Sequence, residues 1–186
     1  MNAPEQYAPG PASGAQVHKD GEQWTLVLVR ALRYPPDKVW QALTDPAQLR
    51  EWAPFDADRS LAQAGTKATL TTVGAPAAHV TETTVTRADA PEALEYKWGG
   101  YDMRWQLEAA GGGTRLTLWT NIDRRYISMG AAGWHLCFDV LDRLLADQPI
   151  GRIVGPEAMK FDGWQRLNAE YAKQFGVDSP DGGRPR

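Results

Sequence analysis

Apolar residues along the chain change their spacing several times, and each change predicts an element. Residues 24–33 form an apolar run that reads as a strand and stops at the double proline Pro35-Pro36. A short helix is predicted over 36–44, because Pro36 suits a first turn where its missing N–H has no partner. Asp37 lies at the positive end of that helix, and Val39, Trp40 and Leu43 share one side. Pro46 ends it and opens a second short helix to Trp52.

Strands follow. Residues 66–73 and 79–86 are rich in Thr and Val, as pleated surfaces favour, and Gly74 to Pro76 connects them. Residues 94–98 and 101–109 flank Gly99-Gly100, a two-residue signal for a tight hairpin. Gly111 to Gly113 turns the chain into a further strand over 114–122. From 130 to 147 the period becomes helical: Trp134, Cys137, Phe138, Leu141, Leu144 and Leu145 recur every three or four residues. Asp139 and Arg143 are spaced to pair on the wet side of this helix. Beyond a connector at 149–155, Pro156 opens a last helix with Trp164, Leu167, Tyr171 and Phe175 on one face and a bend expected near Gly163. This order of elements is α+β. Residues 1–22, with Pro4, Pro9, Gly10, Pro11 and Gly14, are expected to form a flexible arm, 23–176 one domain, and 177–186 a flexible tail.

The run from Tyr34 to Pro46, with its proline, its Val39-Trp40 helix, the Thr44-Asp45-Pro46 stop and Trp52 beyond, resembles the opening of SRPBCC (START-like, Bet v 1-like) domains. Within them it is similar to the AHSA-like group, named after the activator of the heat-shock chaperone ATPase. The resemblance covers about residues 24–175. It implies a helix-grip fold, a curved antiparallel sheet of about seven strands around a long C-terminal helix. It also implies an apolar cavity on the concave face of the sheet; such ligand pockets hold roughly 300–1,000 Å³.

Composition narrows the partners. The 186 residues suit one domain with a substantial core, and 42% of them are apolar. A net charge of −3 without a Lys/Arg cluster argues against a nucleic-acid partner. Cys137 is the only cysteine, so neither an internal disulfide nor a thiolate cluster can form, and the reducing cytoplasm is the expected compartment. No signal-like start is recognised at residues 1–14 and no run of about eighteen apolar residues occurs, so no membrane span is expected.

Chemistry is sparse. His18, His79 and His135 are far apart and lack metal-ligand spacing, Gly111-Gly112-Gly113 has no helix behind it to cradle a phosphate, and there is no Gly-x-Ser-x-Gly elbow. No cofactor or metal is therefore expected, and Cys137, on an apolar helix face, reads as an inert thiol. Eight tryptophans stand out. Leu94, Tyr96 and Trp98 share one strand face, as do Met103, Trp105 and Leu107. Core packing alone would account for each of them, at about 1.5–3 kcal/mol per buried side chain.

With the cavity that the resemblance implies, Trp52, Trp98, Met103, Trp105, Trp134 and Phe138 are the expected lining. Arg30 shares parity with Leu26, Leu28 and Leu32 and could hold a carboxylate or phenolate there; the alternative is a pairing with Glu95 or Asp102. His135 stands four residues before Asp139, a spacing that could orient its imidazole, or it is a satisfied structural residue. Tyr101 could offer a phenol at the rim or simply pack the hairpin. The expected function is binding of a small, mainly hydrophobic or aromatic molecule. A cyclase/aromatase- or hydrolase-like enzyme using Arg30, His135 or Tyr101, and a co-chaperone-like interaction domain, are the alternatives. Self-association into a homodimer through the aromatic face of the last helix is also left open.

Overall fold

The computed structural model describes residues 7–74 and 79–178. Six strands form an antiparallel sheet in the order β1 (Ala15–Asp20), β2 (Gln23–Leu32), β9 (Gly113–Ile122), β8 (Tyr101–Ala110), β7 (Ala93–Trp98) and β6 (Arg87–Asp89). A second sheet orders β3 (Phe55–Ala57), β4 (Lys67–Thr72) and β5 (Val80–Thr84). It lies alongside β7, where the Lys97 N–H donates to Thr83 Oγ1 at 3.1 Å and the Thr86 N–H donates to the Glu95 carbonyl at 2.9 Å. Together the strands make the curved sheet of a helix-grip fold.

Helices α1 (Pro36–Thr44) and α2 (Pro46–Trp52) have the bounds that their prolines predict. Asp45 serves both, ending α1 and accepting at α2 from the Ala47 N–H at 3.1 Å. A 3₁₀ turn (Arg124–Tyr126) leads into the long helix α3 (Ile127–Leu145), three residues earlier than the apolar period suggests. The last helical stretch divides into α4 (Gly155–Met159) and α5 (Asp162–Phe175). The break has a physical cause at Gly163: a Cβ there would lie 2.6 Å from both Phe161 Cε1 and Pro9 Cδ, so only glycine lets the N-terminal segment cross.

That crossing corrects the expectation for the N-terminus. Residues 7–22 are not an unstructured arm: Tyr7 and Pro9 are buried, and β1 pairs with β2 in the register Val17↔Leu26. The apolar positions Ala15 and Val17 supply a strand face that the Pro- and Gly-rich surroundings hide. Strand count is corrected likewise, to nine in two sheets against about seven, because β3 and β6 have three residues each and are too short to show a period. Residues 1–6 and 179–186, and Pro76 in the connector before β5, lie outside the described residues.

The register sends Leu26, Leu28, Arg30 and Leu32 of β2, Leu116 and Leu118 of β9, and Met103, Trp105 and Leu107 of β8 to the concave side. Against this face lies α3, with α1 and α2 closing one end and α5 packed behind it. On α5, Trp164, Leu167 and Tyr171 are buried inside the chain, so this face is already covered and offers no surface for self-association.

Trp105, 1% exposed, sits at the centre of the packing, whereas Trp119 lies on the opposite face beneath Arg104. Truncation of Trp105 to alanine should cost about 3–5 kcal/mol, and Trp119→Ala about 1 kcal/mol. Urea denaturation of the two variants checks this; equal losses would contradict the assignment of the two faces.

Candidate functional site

A row of aromatic rings runs along the space between sheet and α3. Trp52 meets Trp105 edge-on at 6.0 Å, Trp105 meets Trp134 at 5.8 Å, Trp134 meets Trp98 at 6.2 Å, and Trp98 meets Tyr101 at 5.7 Å. At the Trp52 end the space is solid. The Trp52 indole N–H donates to the Ala42 carbonyl at 2.9 Å, that of Trp105 donates to the Tyr96 hydroxyl at 3.2 Å, and Phe138 fills the angle between Trp105 and Trp134. At the Trp98 end it opens into a cavity of about 450 Å³.

Three walls enclose this cavity. The sheet supplies Trp98, Thr120 and Ile122; the first two turns of α3 supply Met129, Gly130 and Gly133, followed by Trp134 and Cys137; and the connector with α4 and α5 supplies Ile153, Val154, Met159 and Trp164. Tyr101 and Tyr126, both more than 40% exposed, stand at the mouth. No Asp, Glu, Lys, Arg or His is among the described residues that line it. Burial pushes the Cys137 thiol up to about 12, so it stays protonated and acts as an apolar wall atom.

Of the side chains expected around a cavity, the structure therefore brings Trp98, Trp134 and Tyr101 to it. Trp52, Met103, Trp105 and Phe138 do not line it, because they fill the sealed half. Arg30 and His135 lie elsewhere too. Arg30 pairs with neither Glu95 nor Asp102 but with Asp139, Nη1 to Oδ1 at 2.5 Å, on the side of α3 facing α5. Asp139 in turn is drawn away from Arg143, and it accepts a hydrogen bond from the Tyr7 hydroxyl. Arg143 instead lies over the Tyr7 ring.

His135 is 5% exposed in the same polar cluster. Its Nδ1 lies 2.6 Å from the Tyr171 hydroxyl, and Nε2 lies 3.7 Å from Asp139 Oδ2. With the single Tyr171 hydroxyl proton donated to the Ser13 carbonyl at 2.8 Å, Nδ1 of His135 must carry the proton shared with Tyr171. Burial, the largest influence, holds the His135 pKa below its ordinary value; Asp139 opposes this and Arg30 adds to it. The imidazole is thus a neutral structural group tying α3 to α5 and to the N-terminal segment.

The connector at 150–154 and α4 carry no strong period, so nothing in the sequence marks them as a wall. Gly130 and Gly133 do leave a signal, since each glycine inside a helix costs about 1 kcal/mol relative to alanine. At Gly130 the reason is close packing, as a Cβ would meet Ile122 Cδ1 at 2.5 Å. At Gly133 a Cβ would meet nothing within 4 Å. That glycine leaves room on the cavity side.

A larger hollow of about 680 Å³ lies on the outer sheet face, but Arg87, Glu95 and Arg104 cross-pair over it at 3.5–4.0 Å in solvent. Such exposed ion pairs contribute little and mark a solvated face. Among the described residues no group of three or more His, Cys, Asp or Glu could hold a metal ion, and no helix is long and apolar enough to cross a membrane.

The depressed pKa of His135 has a consequence for stability. Because the unfolded imidazole, with a pKa of about 6.5, binds its proton more readily than the folded one, the stabilisation is present above that pH and is lost as pH falls through the lowered folded value. Urea denaturation between about pH 5 and 8 should show a fall toward acid that is shallower in His135→Gln. Parallel profiles would refute the buried neutral assignment.

Comparisons with known proteins accord with this architecture. Three solved structures share the fold. EF2215 of Enterococcus faecalis, a conserved protein of unknown function, is 16% identical over 88% of this chain and 92% of its own, with a TM-score of 0.65. CalU16 of Micromonospora echinospora is 21% identical over 90% and 98%, with a TM-score of 0.60. DynU16, from the dynemicin biosynthetic locus, is 18% identical over 71% and 51%, with a TM-score of 0.58. At these identities the likeness establishes the fold alone. A comparison with curated proteins finds no match. The profile of the family described as Activator of Hsp90 ATPase homolog 1-like protein, however, matches residues 33–146, from the residues ahead of α1 through the whole of α3. The chain belongs to the Activator of Hsp90 ATPase homolog 1-like family.

Proposed function

We propose that this protein binds a small, mainly aromatic or hydrophobic molecule in the cavity between β7–β9, the N-terminal half of α3, and α4–α5. The observation that carries the reading is a volume of about 450 Å³ walled by tryptophan, methionine and aliphatic side chains and left open at Gly133. Its size falls within the roughly 300–1,000 Å³ of small-molecule sites. Aromatic walls favour a flat, polarisable occupant through offset or edge-on ring contacts. The occurrence of the structural neighbour DynU16 in the dynemicin biosynthetic locus is compatible with a ligand of this kind.

Binding is favoured over turnover by the chemistry of the walls. General acid–base catalysis needs a titratable group within hydrogen-bond reach of the reacting atom. Arg30 and His135 are tied into the cluster behind α3, and the Cys137 thiol is held protonated. Tyr101 remains, at the rim, as a hydrogen-bonding group for orientation.

Filling the space tests the proposal. Gly133→Leu directs a side chain into the open volume without a clash at its Cβ, and it should raise helix propensity. Titration with the uncharged fluorophore N-phenyl-1-naphthylamine should give saturable binding to the native protein and at least about tenfold weaker binding to the variant, the equivalent of about 1.4 kcal/mol. Thermal melts should show the variant at least as stable. Unchanged affinity in Gly133→Leu, or no binding to the native protein, would overturn the assignment.

A further inference from the structure

The mouth of the cavity carries a charge arrangement that fold stability does not explain. Tyr126 lines the cavity and also a neighbouring surface depression of about 390 Å³ formed with Arg124, Arg125, Val177 and Asp178. The two hollows are contiguous through this one exposed ring. Arg124 and Arg125 immediately precede α3, a helix of 19 residues with no acidic residue in its first turn and no side-chain cap from Tyr126. Cations at a helix N-terminus oppose the macrodipole and are unfavourable there.

One of the two is neutralised locally. Arg125 reaches Asp123 through Nη2 at 2.9 Å and Nε at 3.1 Å, and its ring-facing side lies over Tyr126. Arg124 is exposed, and no ion pair links it to Asp178 or to any other carboxylate among the described residues. An uncompensated guanidinium therefore stands at the positive end of the long helix, next to the exposed tyrosine that forms the rim of an uncharged cavity. A ligand that leaves an acid group at this rim satisfies the guanidinium without taking a charge out of water.

We propose that the ligand is an amphipathic anion, an aromatic body seated in the cavity with a carboxylate or equivalent acid group held at the mouth by Arg124. The inference rests on the cavity being a ligand site. The apolar walls exclude a charge from the interior, since a buried ion without a partner is strongly disfavoured. The rim accepts it, through Arg124 and the hydroxyls of Tyr101 and Tyr126. Guanidinium geometry suits a planar two-oxygen group better than a point charge.

Two probes with the same ring system separate the body from the acid: 1-anilinonaphthalene-8-sulfonate, and N-phenyl-1-naphthylamine, which lacks the sulfonate. Arg124→Gln should weaken the sulfonate probe by up to about fivefold, as a solvent-exposed charge pair allows, and leave the amine unchanged. Arg115→Gln, the same charge change on the distant strand β9, should alter neither. Raising salt to roughly 0.5 M should abolish the difference between native and Arg124→Gln proteins for the sulfonate probe. If both probes bind and Arg124→Gln affects them alike, or affects neither, the acid-group assignment is wrong while the cavity stands. If neither probe binds the native protein, the cavity reading fails and this inference fails with it.

Discussion

The wedge of Trp105 between Trp52 and Trp134 decides where this molecule is solid and where it is hollow. A curved sheet cannot meet a straight helix along its whole length, so the gap between them must be filled by large side chains or left open. Trp105 points from the middle of β8 to the place where α2 can deliver Trp52 and α3 can deliver Trp134. Edge-on contacts lock the three indoles, and the N–H groups of Trp52 and Trp105 find their acceptors within the core. Past Trp134 no comparable wedge follows, and the helix carries Gly133 and Gly130 instead.

The two long sides of α3 have opposite chemistry. Toward the cavity it presents glycine, tryptophan and a protonated thiol; toward α5 it presents His135 and Asp139, joined to Arg30, Tyr7 and Tyr171. A half-buried ion pair of this kind offers little net stability by itself, because desolvation offsets most of the attraction. Its role here is positional. Asp139 holds β2 and the N-terminal segment, while the Tyr171 hydroxyl holds Ser13, so the sheet edge and the last helix are fixed to the helix that walls the cavity.

The local elements were readable from residues whose physics is short-ranged. The two prolines and Asp45 delimit α1 and α2, and the Gly-Gly hairpin between Trp98 and Tyr101 has the expected register. What remained hidden depends on tertiary partners. Parity correctly turns Arg30 inward, but it cannot reveal that the concave face is divided by α3, so that one inward residue reaches the cavity and another the polar cluster behind the helix. Tyr7 and Pro9 become buried only because Phe161 and Gly163 lie opposite them, some 150 residues away in sequence. Residues Ile153, Val154 and Met159 become a wall only once α4 is folded against Gly74, where a Cβ would meet Pro156 Cδ at 3.1 Å.

The row of indoles also makes the molecule its own optical instrument. Trp98 and Trp134 border the hollow, and through ring contacts of about 6 Å they are joined to Trp105 and Trp52 in the sealed half. Excitation absorbed by any of the four can migrate among them before emission. An absorbing guest beside the outer pair would therefore dim the inner pair as well, and occupancy would be visible in native emission without any label.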